Sequence, residues 1–434
     1  YIWTGIAWES QVNVPAGELV NDLSQAYIFD TVAAYQASTL VFPIGKLIHL
    51  KDRGADFTVI SGTGTGNTFN IIASTSVNQS INLITRAKPF LSHLGAIFDG
   101  SDEVDVISHS FTLGGVWYMK DDEVLSYGSG MTLSLNGSGI VGGTLSCLAD
   151  LGGAHLSVSG DDARVETKFI GNSFNGRGVV RVAAGTKGFN SELIEFENFY
   201  SSTSLYMVPL WIESDNTSFN IETLRFKDIK TLGNGSSGDD TGAIRLVNVQ
   251  GTIDNNEQMR IGTVFFDDVF CLNGAGVRIR EDADAVVTAG FVRIPLTVDL
   301  IKGRNIGKRC FKAQAKGALV KAIHYTHSNQ TVEHSAVFDQ QDSDNTVTSI
   351  KAFGNIQSFY RSLARDGFEI EGGGVDSASG VTSYIDPASA SGAIGVLDIQ
   401  AGIGLSFPNW NVIGGKLGVR LSIANSASIK DVTI

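Results

Sequence analysis

Short apolar segments recur along the chain at a near-constant interval. Val179-Val180-Arg181-Val182, Pro209-Leu210-Trp211-Ile212, Ala243-Ile244-Arg245-Leu246 and Gly276-Val277-Arg278-Ile279 end 30, 34 and 33 residues apart. A period of that length holds one coil of several short strands joined by turns. A second segment recurs inside each period, as Glu195-Phe196-Glu197-Asn198-Phe199, Arg225-Phe226-Lys227-Asp228-Ile229 and Phe265-Phe266-Asp267-Asp268-Val269, each alternating inward apolar with outward polar residues. Looser copies follow at Ser349-Ile350-Lys351, Gly418-Val419-Arg420-Leu421 and Ser428-Ile429-Lys430. Repeats with one apolar side cannot bury it alone, but stacked coil on coil they line their Val, Ile and Leu into a continuous interior column. The period therefore predicts an all-β chain wound as a parallel β-helix. A β-sandwich also alternates apolar and polar residues, but it does not need a fixed period.

Composition agrees with strands and turns. Among 434 residues there are 50 Gly and 7 Pro, and 18% are charged. Only residues 31 to 38 and 101 to 108 suggest helix, both short. With 32 Lys and Arg against 45 Asp and Glu, the formal charge is −13, which argues against a nucleic-acid partner because such proteins carry a basic excess. Cys147, Cys271 and Cys310 are odd in number and widely spaced, fitting buried small residues better than a disulfide framework or a zinc site. No apolar run approaches membrane-spanning length, and Tyr1 to Gly5 look nothing like a basic, apolar signal peptide. A soluble chain with no membrane insertion is expected. The absence of an initiator Met and the strand-like run Ile429 to Ile434 lead us to expect neighbouring segments outside this sequence.

The front of the chain resembles a known family. Thr31-Val32-Ala33-Ala34-Tyr35-Gln36-Ala37-Ser38, Gly45 and Asp52-Arg53-Gly54-Ala55-Asp56-Phe57 resemble the small N-terminal module that precedes the β-helix in phage tailspikes and capsule depolymerases. Tyr1-Ile2-Trp3-Thr4-Gly5 is similar to the aromatic start of that region. Leu94-Gly95-Ala96-Ile97-Phe98-Asp99-Gly100-Ser101-Asp102 resembles the opening motif of pectate-lyase-like β-helices, where a Gly-Ala turn and an Asp-Gly turn lead into a capping helix. Trp117-Tyr118-Met119 then stands where the first strand is expected, and Gly128-Ser129-Gly130 to Leu135 with Gly137-Ser138-Gly139 where the first full coil is. Glu103-Val104-Asp105 replaces the usual Asp-Asp-Thr, and the Pro that often follows the first strand is absent.

The resemblance, carried by roughly residues 1 to 140, implies a right-handed parallel β-helix in a homotrimer. It further implies attachment to phage tail or baseplate proteins through the N-terminal end, a place in the virion tail, and action on a bacterial surface polysaccharide outside the host cell. The corresponding divisions are 1–30 as a connector, 31–90 as a small β module and 91–434 as the β-helix.

Chemistry is sought on the outward positions of the first repeat, Arg181, Trp211, Arg245 and Arg278. With coils about 4.8 Å apart, Arg245 and Arg278 repel unless acids or an anionic ligand lie between them. Trp211 offers a flat surface to a sugar ring, and Arg forks can hold carboxylates. Two readings of this row stay open: glycan binding, and pairing with nearby acids or burial at a subunit interface.

Hydrolysis of a glycosidic bond needs two carboxylates. The candidates are Glu213, Asp215, Asp239, Asp240, Glu281, Asp282 and Asp284. Glu213 and the Glu281 to Asp284 run are expected two coils apart, roughly 9 to 10 Å, at the upper end of the inverting range of about 6.5 to 9.5 Å. Elimination would instead need a base and a cation beside a uronate, for which Arg245, Arg278, Lys321, His324 and Tyr325 are candidates. His324 and His327 lie three apart on an expected strand and so face opposite sides, against a metal site. Gly62-Thr63-Gly64-Thr65-Gly66 and Gly372-Gly373-Gly374 lack the Lys-Ser/Thr ending of a phosphate loop, and no Gly-x-Ser-x-Gly elbow is present. No cofactor is expected. The leading expectation is a polysaccharide hydrolase, with a lyase and a binding-only spike as alternatives.

Overall fold

A strand with one apolar face needs a neighbour for its backbone hydrogen bonds as well as for its side chains, and in this chain the neighbour is the preceding coil. The computed structural model describes residues 2–3, 8–9, 26–62, 66–171, 177–201, 208–231, 242–248, 258–271, 275–281, 294–306, 309–327, 336–340 and 345–354, and short strands within 360–429. Two long sheets dominate. In one, eleven described strands from Met131–Leu133 to Val419–Leu421 stack in chain order, all parallel. In the other, longer strands from Val116–Tyr118 through Phe219–Thr231 and Met259–Cys271 to Asn411–Gly414 do the same. The chain alternates between the two, which is the winding of a parallel β-helix.

Register confirms the period. Leu133, Val158, Val182, Ile212, Leu246, Ile279 and Ala313 are successive partners in one file, and those whose side chains are described are fully buried. The looser copies divide. Ile350 stacks on Ile323 in the long sheet, Leu421 continues the file of the eleven-strand sheet, and Ser428-Ile429 belongs to a separate two-strand sheet with Ile403–Phe407.

Inside the long sheet, Phe169, Phe196, Phe226 and Phe266 form an aromatic stack, with ring centroids 5.6, 5.0 and 5.4 Å apart and planes within 28°. Such pairs contribute about 0.5–1.5 kcal/mol each beyond area burial. The stack ends at Gly303, where an added Cβ would lie 2.7 Å from the Phe266 Cβ.

The second repeat does not alternate throughout, as the sequence suggested. Phe196 and Phe199 are three apart and both buried, as are Phe226 and Ile229, and Phe266 and Val269. The residue two before each second apolar position continues the strand outward, and the residue immediately before it turns a corner in the left-handed region. These are Asn198 (φ 60), Asp228 (φ 53), Asp268 (φ 53) and Asn305 (φ 51), one above another. Asn and Asp tolerate that conformation better than other side chains, and the Asn305 amide donates to Asp268 Oδ1 at 2.7 Å.

The first coil is capped as the opening motif implies. Gly95 (φ 96) and Gly100 (φ 88) make the two turns, and Asp102 Oδ1 accepts the backbone N–H of Val104 at 3.1 Å and of Gly128 at 3.0 Å. The helix Val104–Leu113 follows, burying Val106, Ile107 and Phe111 on the coil end. Before it stands a five-stranded sheet of strands between Tyr27 and Leu83, with the helix Val32–Ala37 capped by Thr31. Arg53 from this module packs on Gly95, where a Cβ would lie 1.7 Å from its Nη1, so the glycine is needed for the contact as well as for its turn.

Two stability outcomes are expected. Asp228→Gly should unfold within about 0.5 kcal/mol of the native chain in denaturant titration, whereas Asp228→Val, β-branched at a positive φ, should lose about 1–2 kcal/mol. His155 is fully buried, with Nδ1 2.7 Å from the Tyr127 hydroxyl, and burial pushes its pKa down to about 4. The unfolded imidazole, near 6.5, takes its proton first, so the stability this group leaves intact above 6.5 is lost as pH falls toward 4, by about 3 kcal/mol. Denaturant titrations at pH 7 and pH 4 should therefore show His155→Leu losing less than the native chain over that interval, by about that amount.

Candidate functional site

The expected outer row is real as a register, but at Trp211 and Arg245 it is closed as a surface, while Arg181 before them is exposed. Arg181, Trp211, Arg245 and Arg278 are successive partners, continued by Lys312 and Asp339. Trp211 is only 2% exposed and Arg245 only 3%. The Arg245 guanidinium lies over the indole, 4.5 Å from its centroid, and Trp211 packs with Val208 and Val247 in a small apolar cluster outside the main core. The expectation that Trp211 offers a free face to a sugar is thus corrected, because that face is already covered by a cation. The side chain of Arg278 lies outside the described residues.

Glu213 is likewise bound up. Arg181 donates to Oε1 from Nε at 3.0 Å and from Nη2 at 2.5 Å, and the Ala184 N–H donates to Oε2 at 3.2 Å. A carboxylate holding three donors and nearly shielded from solvent serves as a clamp between coils. Asp215, in the turn after the same strand, is 2% exposed. Asp239, Asp240, Asp282 and Asp284 lie outside the described residues. Glu281 ends the strand Ala275–Glu281, its side chain outside the described residues. Its row is that of Asn248, whereas the residue two coils above Glu213 is Arg280. The expected Glu213–Glu281 pairing is therefore offset by one residue.

An open site lies on the other flank. A groove of ≈ 820 Å³ runs over the long sheet from Lys168 to Thr326. Two outward rows floor it. One reads Lys168, Glu195, Arg225, Phe265, Lys302, His324, and the other Glu197, Lys227, Asp267, Arg304, Thr326. Both come from the second repeat, on strands backed by the aromatic stack beneath, and both precede the Asn/Asp corner. Like charges would repel one coil apart, and through most of the groove the rows alternate in sign. Lys227 bonds Glu197 at 2.9 Å, Lys168 bonds the same carboxylate, Arg225 bonds Glu195 at 3.0 Å, and Arg304 pairs with Asp267 and, at 3.3 Å, with Asp268. Hydrogen bonds from Lys168 and then Lys227 hold the Glu197 carboxyl below its ordinary range, so it is ionised at neutral pH. The Arg225 guanidinium stands 5.6 Å from the half-buried Phe265 ring.

The candidates for elimination separate. His324 lines the groove. Lys321 pairs with Asp299 at 2.6 Å. Tyr325 points inward, 2% exposed, its hydroxyl within 3.1 Å of the Ile306 backbone N and O, and burial raises its pKa. An inward phenol of this kind cannot reach a ligand in the groove. The groove's own residues were visible as the outward positions of the second repeat. Phe265, an aromatic where its counterparts Glu195 and Arg225 are charged, was the signal.

Among the described residues no helix is long and apolar enough to cross a membrane. No family model matches the sequence, and no curated protein does. Solved structures with similar chains include the tailspike protein gp49 of Acinetobacter baumannii bacteriophage Fri1, a capsular polysaccharide depolymerase, at 8% identity, with 94% of this chain and 76% of that one covered and a TM-score of 0.36. They include the enzymatically active domain of bacteriophage CBA120 tailspike protein 2, at 11% identity, 90% and 61% coverage and a TM-score of 0.37. A third is full-length tailspike protein 2 from an Escherichia coli O157:H7 bacteriophage, at 12% identity, 91% and 55% coverage and a TM-score of 0.39. The chain spans less than two thirds of the length of the latter two. At such identities and TM-scores, the fold rests on the strand register described above.

If Glu213 is a clamp, Glu213→Gln should lower stability by about 1–2 kcal/mol, read as a fall in the denaturant midpoint, because Arg181 and the Ala184 N–H lose a charged acceptor. An unchanged midpoint would free Glu213 for another role.

Proposed function

We propose that this chain is the body of a phage tailspike that binds a bacterial surface polysaccharide, capsule or O-antigen, along the groove of the long sheet and hydrolyses it. The observation that carries this reading is the shape of the groove. It crosses six strands, from that of Lys168 to that of His324, and five steps of about 4.8 Å span roughly 24 Å. An open trough of that length, floored by hydrogen-bonding side chains and one aromatic, suits several units of a polymer rather than one small molecule. The coil repeat and the resemblance of the first 140 residues support the same reading. The homotrimer and the attachment of the N-terminal end to tail proteins form part of this proposal.

For hydrolysis, Glu197 and Asp267 lie in one row with Lys227 between them. Two coil steps separate their backbones by roughly 9 to 10 Å, close to the inverting range of about 6.5 to 9.5 Å. Glu197, held ionised by two lysines, suits the base that activates water, and Asp267 stands across from it as the acid. A second reading, binding without cleavage, draws on a specific observation. Each groove carboxylate is in an ion pair, while a general acid must hold a proton near neutral pH.

Incubation with purified host polysaccharide separates the readings. Hydrolysis should release reducing ends without new ultraviolet absorbance, elimination would add the absorbance of an unsaturated uronate, and an unchanged polymer that still binds supports the second reading. Glu197→Gln and Asp267→Asn should each lower the cleavage rate by about 10²-fold or more while binding stays within a few-fold. Full activity in both variants would move the chemistry elsewhere.

A further inference from the structure

The groove is electrically lopsided in a way that the chain as a whole is not. Its lining carries five Lys and Arg side chains against three carboxylates, on a protein whose formal charge is −13. The excess is also localised. At the Lys168 end each charge has a partner, Glu197 between two lysines and Glu195 on Arg225. At the other end, Lys302 and His324 are adjacent partners in one row, directly beyond Phe265. Among the described residues no acid bonds either of them, although every other cation in the lining has an acid bonded to it.

Two neighbouring basic side chains about 4.8 Å apart with no acid between them destabilise a sheet. The cost is offset when an anion sits between them, because a Lys ammonium and a His ring N–H can both donate hydrogen bonds to it. Phe265 stands one coil away, half-buried, with the Arg225 guanidinium near its ring. A sugar ring laid against Phe265 would bring a substituent on that ring over the Lys302–His324 step. Surrounding negative charge on the rest of the protein would repel an anionic polymer everywhere except along this strip, which fixes where it docks.

We infer that the groove takes an anionic polysaccharide, and that Lys302 and His324 hold the carboxylate or phosphate carried by the sugar beside Phe265. The inference rests on the groove being the polysaccharide site. The test uses a panel of purified bacterial capsular and O-antigen polysaccharides, each presented intact, after carboxyl reduction and after dephosphorylation. Binding to the full chain is measured by calorimetry, and cleavage by reducing-end assay.

The polymer that binds should lose at least 10-fold in affinity when its anionic group is removed, carboxyl reduction or dephosphorylation revealing which group it is. It should lose about 10-fold with the double variant Lys302→Gln, His324→Gln at an unfolding midpoint no lower than that of the native chain, and should weaken as salt rises. Lys51→Gln, on the N-terminal module, should change nothing. Tight binding of a neutral polymer that Phe265→Ala weakens and the double variant does not would overturn the anionic assignment and leave the groove in place. Binding that ignores both Phe265→Ala and the double variant would remove the groove itself, and this inference with it.

Discussion

The structure depends on in-register hydrogen bonding between successive coils. Each strand of a parallel stack finds both its backbone partners and its apolar neighbours in the coils before and after it. Leu133, Val158, Val182, Ile212 and Leu246 can form one buried file only because the register is kept through these positions, the one-residue shift between Arg177 and Val180 falling before the file is reached. A slip would place Arg181, Trp211 or Arg245 inside. Loops can vary in length from coil to coil at little cost as long as that register is kept.

The corners give the stack its shape. Asn198, Asp228, Asp268 and Asn305 turn the chain at the same point in four successive coils, and the outward residues before them stack in two rows. The Phe169 to Phe266 stack holds the same strands from within. The groove lies over these rows. The eleven-strand sheet has equally regular rows, but beyond the exposed Arg181 its outward Trp211, Arg245, Lys312 and Asp339 are buried, Asp339 fully and paired with Arg309 at 2.5 Å.

Charge then distinguishes one part of the groove from another. Where rows alternate in sign, the side chains satisfy one another. Where Lys302 follows Phe265 and His324 follows Lys302, the alternation stops. Exposed ion pairs add little to stability, so these rows are better understood through what they present to a ligand than through what they add to the fold.

How much was legible in the sequence follows from which interactions are local. The period, the alternation and the Gly turns of the capping motif are properties of neighbouring residues, and they determined the coil, the inward file through Val182 and Ile279, and the helix after Asp102. They also placed Arg181, Trp211, Arg245 and Arg278 in one outward row. Whether that row met solvent was not local: Arg245 covers Trp211 from one coil away, and Glu213 is claimed by Arg181 and Ala184 of the coil before. The corner at Asp228 was equally hidden, since a strand residue and a left-handed Asp read alike until the next buried residue is located. The sequence by itself thus determined which residues point outward, because side-chain direction is set by the backbone period. Only the tertiary structure decided which outward residues are free, because exposure depends on segments that come together from distant parts of the chain.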